Sequence, residues 1–210
     1  MRDAIAALVV ALSVAAGDTA ALRLRATVNG AASAGALTIT LSRWSTDAER
    51  APLFKALSAP APAPPPAPAA PPVAGGRAGG RGRGASPPLP PSPLARLSAA
   101  IKAAPTLGYI WTDGVTGYSI KYAWRSPATD GMERIVLVTD RRLNLHAPDW
   151  TPASASAGDA DFTLIEMRLD ERGVGEGKTS LTTSVAIDTE AKTLALDGYA
   201  AAQPLLKVTR

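Results

Sequence analysis

The chain has 210 residues, with 22 lysines and arginines against 18 aspartates and glutamates, one histidine, no cysteine and a formal charge of +4. Without cysteine there is no disulfide framework, no lipid-modified cysteine anchor and no thiolate metal site, and one histidine does not supply the several imidazoles of a catalytic zinc centre. The basic balance is local: Arg77, Arg81 and Arg83 sit in one low-complexity stretch, and without them the charge falls to +1, which argues against a nucleic-acid surface that must neutralise several phosphates.

The chain opens MRDAIAALVVALSVAAGDTAALRLRA, with Arg2 ahead of an apolar run from Ala4 to Ala16 and small residues after it. This is the pattern of a secretory signal peptide over residues 1–21, cleaved after Ala16 or Ala21. The run is about a dozen residues, where a membrane-spanning helix needs roughly 20. A periplasmic or secreted protein with no stable membrane anchor is expected.

Residues 22–58 read as a hairpin and a helix. LRLRATV (22–28) and ALTITLSRW (36–44) alternate apolar with polar residues and are separated by a turn-forming NGAASAG, the signature of two paired antiparallel strands. In STDAERAPLFKALS, Thr46 followed three residues later by Glu49 forms a capping box, and Pro52 is expected to break or restart the helix. Residues 59–93 hold 13 of the 19 prolines and 6 of the 18 glycines. Their composition predicts a disordered linker, stiff and polyproline-like at first and flexible through the glycine-arginine box AGGRAGGRGRGAS (74–86).

Residues 94–210 carry a helix and then strands. PLARLSAAIKAAP places Leu94, Leu97 and Ile101 on one helical face and ends at Pro105. Strands are predicted over 107–112, 117–124, 132–139, 142–146, 162–169, 178–187, 193–199 and 205–210, with turn chemistry at 112–116, 126–131, 170–177 and 188–192. The expected fold is mainly β, an antiparallel sandwich or barrel of about ten strands with one or two short helices. Residues 22–58 are too few to fold alone, so 22–58 and 94–210 are expected to share one core, with 59–93 inserted in it.

Five stretches together, WSTDAER (44–50), LGYI (107–110), GYSIKYA (117–123), RIVLVTDR (134–141) and FTLIEMRLDERGVGEGK (162–178), resemble a group of uncharacterised exported bacterial proteins. The resemblance implies an exported β-rich domain and carries no catalytic residue over. The proline-rich stretch departs from that group, which favours reading it as a tolerated insertion and the arginine box as a spacer.

The residues that could carry chemistry are few. His146, in LHAPDW with Asp149 and Trp150, has no G-x-S-x-G elbow to serve and reads as a surface or strand-end histidine. Asp159 and Asp161 lack the further oxygen ligands of a calcium loop, and GVGEGK (173–178) reads as a hairpin turn, since a phosphate loop opens a helix.

In FTLIEMRL, Phe162, Leu164, Glu166 and Arg168 share one face and Thr163, Ile165, Met167 and Leu169 the other. Glu166 and Arg168 could then form the polar end of a small-ligand pocket or an ordinary ion pair on a covered sheet. A hydrolase pairing Glu166 with Glu133 or Asp140 needs a fixed carboxylate separation that the sequence does not supply. Tyr118, Ile120, Tyr122 and Trp124 alternate onto one face of GYSIKYAW, after Tyr109 and Trp111 on the preceding strand. They are either a stacking surface for a sugar or peptide, or core.

No residue is assigned to catalysis or to a metal, and no cofactor is implied. The candidate ligand-binding set is Glu166, Arg168, Trp111, Tyr118, Tyr122 and Trp124. The function expected is an exported, non-enzymatic β domain that binds a small ligand or a component of the cell envelope. The alternatives are a periplasmic carboxylate hydrolase and a weak nucleic-acid binder acting through the glycine-arginine box.

Overall fold

The computed structural model describes residues 22–29, 35–58, 90–112, 117–128, 130–145 and 161–210. The leader, the glycine-arginine box, His146, Asp149 and Asp159 lie outside the described residues.

Among them the alternating runs form strands: β1 (Leu22–Val28), β2 (Ala36–Leu41), β3 (Gly108–Trp111), β4 (Gly117–Pro127), β5 (Glu133–Thr139), β6 (Leu164–Leu169), β7 (Val174–Thr179), β8 (Val185–Asp188), β9 (Thr193–Leu196) and β10 (Leu206–Thr209). Eight of them close into an antiparallel barrel in the order β1-β10-β7-β6-β5-β4-β3-β2, and β8 and β9 form a separate two-stranded sheet. The fold is therefore mainly β, with two helices, but the strands do not share one sheet.

An eight-stranded barrel is just wide enough for side chains to fill or for one small ligand. Here side chains occupy it. Leu24, Leu37, Ile39, Ile110, Ile120, Ile135, Leu137, Ile165, Met167 and Val208 form the inner core, with Leu143, Leu145 and Leu181 at one end and Trp44 packed against the other strand ends. Residues 142–145 are not a strand, contrary to the alternation of RLNLH. Their backbone is captured instead: the Leu143 N–H donates to Thr163 Oγ1 at 2.9 Å, and the Thr163 N–H to Thr139 Oγ1 at 3.1 Å, which turns two leucines into the barrel mouth.

A second core lies outside the barrel, over β4, β5 and β6. Helix α1 (Asp47–Ser58) and helix α2 (Pro93–Ala103) pack against each other. They and the β8-β9 hairpin bury Leu53, Leu97, Ile101, Leu194 and Leu196 against Tyr122, Val136, Val138 and Leu164. The Thr46/Glu49 capping box is formed, the Glu49 N–H donating to Thr46 Oγ1 and the Thr46 N–H to the Glu49 carboxylate. α1 runs through Pro52 without a break. Ser92 caps α2 by accepting from the Ala95 N–H, so α2 takes its cap from within the predicted linker 59–93.

Two further corrections concern β7. The turn predicted over 170–177 is confined to Asp170–Gly173, so GVGEGK is strand from Val174 on, and the predicted strand 178–187 is interrupted between Thr179 and Val185. Gly175 explains the first: a Cβ there would lie 1.8 Å from the Arg168 carbonyl oxygen, so this glycine marks close approach of two strands.

Candidate functional site

The six candidate residues go to three different places. The alternation that grouped three of them fails at one residue. Between Ile120 and Tyr122 the β4-β5 register shifts, with Ile120 opposite Thr139 and Tyr122 opposite Val138, so Lys121 is an extra, bulged residue that reverses every side chain after it. Tyr118 and Ile120 point into the barrel, while Tyr122 and Trp124 point out, under the helices and the hairpin. Lys121 itself donates from Nζ to the Ala104 carbonyl at the end of α2, at 3.0 Å.

Tyr118 and Tyr122 are buried. The Asn144 N–H donates to the Tyr118 hydroxyl, and the Arg141 guanidinium sits 4.7 Å from its ring centroid. The Tyr122 hydroxyl is 2.6 Å from Thr193 Oγ1 on β9, and burial raises its pKa despite that bond. Both tyrosines tie layers together and offer no surface to a ligand.

Glu166, Arg168 and Trp124 lie beneath the β8-β9 hairpin. The Glu166 side chain is 1 % exposed, with Oε1 2.8 Å from Arg134 Nε and 3.9 Å from an Arg168 guanidinium nitrogen. Oε2 accepts from the Leu196 N–H at 3.1 Å. The Arg134 contact is an ion pair of poor hydrogen-bond alignment, since neither Arg134 Nε nor Glu166 Oε1 completes a hydrogen bond. Arg134 also donates to Asp188 at 2.7 Å. Burial works against its charge, but Asp188 and Glu166 outweigh that and raise its pKa. The Ala191 N–H and then Arg134 hold the Asp188 carboxyl below its ordinary value. Arg168 stacks 4.1 Å from the Tyr199 ring, and Lys178 approaches the same ring at 4.5 Å. Burial and the Glu176 charge raise the Tyr199 pKa.

A cleft of about 390 Å³ opens here, lined by Trp124, Arg134, Arg168, Asp188 and Glu190 among others. Its size falls within the range of small-ligand sites, yet its arginines already face carboxylates. Glu166 holds β9 to β6, and its two oxygens are engaged. Glu133 and Asp140 flank opposite ends of β5, roughly 20 Å apart at ~3.4 Å per residue. Glu166, opposite Val136, is about 10 Å or more along the strands from either. No pair among these three has the separation and access that glycoside hydrolysis needs.

Trp111 stands alone of the six on the open side of the barrel. It and Tyr109 are 44 % and 46 % exposed, with ring centroids 5.8 Å apart and planes tilted by 36°. Trp111 lies over Gly117, where a Cβ would meet its ring at 2.8 Å. The outward residues of β10, β1 and β2 beside this pair are exposed or half-buried, Lys207, Thr209, Arg23, Arg25, Thr27, Thr38 and Thr40 among them.

No protein-family model, no curated protein and no solved structure matches the chain.

Sequence reasoning missed Arg134, Asp188, Lys178 and Tyr199, which come from four separate segments. The alternation of LRLRATV already placed Arg23 and Arg25 outward. What it lacked was the neighbour relation that sets them two strands from Tyr109 and Trp111.

Proposed function

We propose that this chain is an exported, non-enzymatic β domain that binds a component of the cell envelope on the outer face of β1, β2 and β3. The observation that carries this reading is the exposed Tyr109/Trp111 pair. Each ring leaves nearly half its surface in water, and two adjacent rings beside the threonines and arginines of β1 and β2 form a ready contact platform. The filled barrel and the engaged Glu166 cluster direct the search for a ligand to this surface. The leader pattern in residues 1–21 supports a periplasmic or secreted location.

The test is binding of the purified full chain to isolated envelope fractions, comparing wild type with Trp111→Ala and Tyr109→Ala. Both rings lie outside the two cores, so the variants should stay folded, with a cooperative thermal transition, while losing binding. Equal binding by all three proteins would remove the platform from the function. Fractionation of cells expressing the full chain, with the amino terminus read by mass spectrometry, tests export. An intact amino terminus in the cytoplasm would defeat that part.

A further inference from the structure

The charges of the barrel are segregated. Five consecutive neighbours, β10 (LKVT), β1 (LRLRATV), β2 (ALTITL), β3 (GYIW) and β4 (GYSIKYAWRSP), contain no aspartate or glutamate. The acids of the other strands, Glu133, Glu166, Glu176 and Asp188, lie on β5 to β8, and the boundary on one side falls where Glu176 stands opposite Lys207. The strands of the arc that carries the aromatic pair therefore bear cations and no carboxylate, and Asp140, after β5, reaches the edge of the arc by accepting from the Ser119 N–H.

The register orders this arc into two rows. Arg25 is opposite Thr38 and Thr38 opposite Trp111; Arg23 is opposite Thr40 and Thr40 opposite Tyr109. Each row runs guanidinium, hydroxyl, aromatic ring over roughly 10 Å, and the rows are about 7 Å apart, from strand spacing and rise. One ring and one cation per row match a polymer with one flat, C–H-faced ring and one anionic group per unit. A guanidinium fork suits a carboxylate, and the threonines between suit ring hydroxyls.

We infer that the ligand of the β1-β2-β3 face is a polysaccharide of uronic acid units, one stacking on Trp111 with its carboxylate on Arg25 and the next on Tyr109 with its carboxylate on Arg23. This rests on the reading of that face as the binding surface and adds the ligand class. A single nucleic-acid strand has the same one ring and one anion per unit, but it is bound along a basic groove over about 4–16 nucleotides, whereas this face is the outside of a barrel and offers two rings. Here Arg23, Arg25 and Lys207 are the cations of β10, β1 and β2.

The experiment measures binding of the full chain to polygalacturonate, neutral dextran, dextran sulfate, polyphosphate and oligothymidylate at low and high salt. The variants are Trp111→Ala, the double Arg23→Gln/Arg25→Gln, and a triple Arg77→Ser/Arg81→Ser/Arg83→Ser that strips the glycine-arginine box. The proposal expects polygalacturonate to bind best, to weaken with salt, and to weaken about tenfold or more in the tryptophan and double arginine variants, as loss of charge-assisted hydrogen bonds predicts. The triple variant should bind as wild type. Preference for dextran sulfate, polyphosphate or oligothymidylate overturns the carboxylate assignment, as does loss of binding only in the triple variant. Salt-insensitive binding to neutral dextran that Trp111→Ala abolishes overturns the uronate but keeps the face. Binding to no polymer, together with envelope binding that Trp111→Ala leaves unchanged, takes down the face itself.

Discussion

Glu166 shows how one side chain's role depends on what covers it. Read along β6 it is an outward carboxylate beside an arginine, equally suited to a site or a surface pair. Folded, it is buried with Arg134 and the Leu196 N–H, contacts made by chain far from it in sequence. Removing one partner of a buried ion pair typically costs about 3–5 kcal/mol, while replacing both by apolar residues is often neutral. Glu166→Ala should thus lower stability by about 3 kcal/mol in denaturant unfolding, and Glu166→Leu combined with Arg134→Met should recover most of it. A single variant as stable as wild type would show that the pair does not hold the hairpin. Glu49 makes a pH prediction. Hydrogen bonds from Arg43, partly opposed by burial and helped by the capping box, lower its pKa from 4.5 to about 2. Because the folded value is depressed, the group's stabilisation is complete above the unfolded value and is lost as pH falls from near 4.5 towards 2. Glu49→Gln should flatten that part of the stability-pH curve measured by urea unfolding.

Elements were legible wherever alternation was undisturbed. β1 and β2 follow their apolar-polar pattern, β3 alternates buried with exposed, β5 is a continuous apolar run buried on both faces, and Thr46 with Glu49 marks the start of α1. The misreadings have local causes. One bulged residue, Lys121, splits the aromatic stripe of β4; two glycines made β7 look like a turn; and buried threonine hydroxyls divert 142–145 from a strand. A bulge leaves almost no trace in a single sequence, because Tyr122 and Trp124 alternate as regularly as Tyr118 and Ile120 whichever way they face. The site suffered more than the fold, since its residues are neighbours only through pairing. The helices offer a test of the insertion. Arg96 Nε donates to the Ala56 carbonyl at 3.1 Å, so the end of α1 and the start of α2 are side by side. Replacing residues 60–88 by about six glycine and serine residues should leave the fold intact and raise stability by about 1 kcal/mol from cheaper loop closure. Loss of the folding transition on shortening would mean that the segment contributes to the core.

At the scale of the molecule, the barrel separates two tasks by side. The arc from β4 to β6 carries the helices, the hairpin and most of the ion pairs, while the arc from β10 to β3 is acid-free and bears the exposed rings. The sequence supplied the charges but not this partition, which follows from closure. That closure is made by β1 pairing with β10, Arg25 opposite Thr209 and Val28 opposite Leu206. Removing residues 206–210 should leave the edges of β1 and β7 unpaired and send the protein to aggregates in size-exclusion chromatography. A monomeric truncated protein would show that the seam is dispensable. The same seam governs timing. Contacts this distant in sequence form late and slow folding to the millisecond-to-second range. Until β10 has been synthesised, the earlier strands cannot complete the cylinder. A closed barrel thus certifies that the ribosome has read through residue 209, since a product released earlier keeps two open edges.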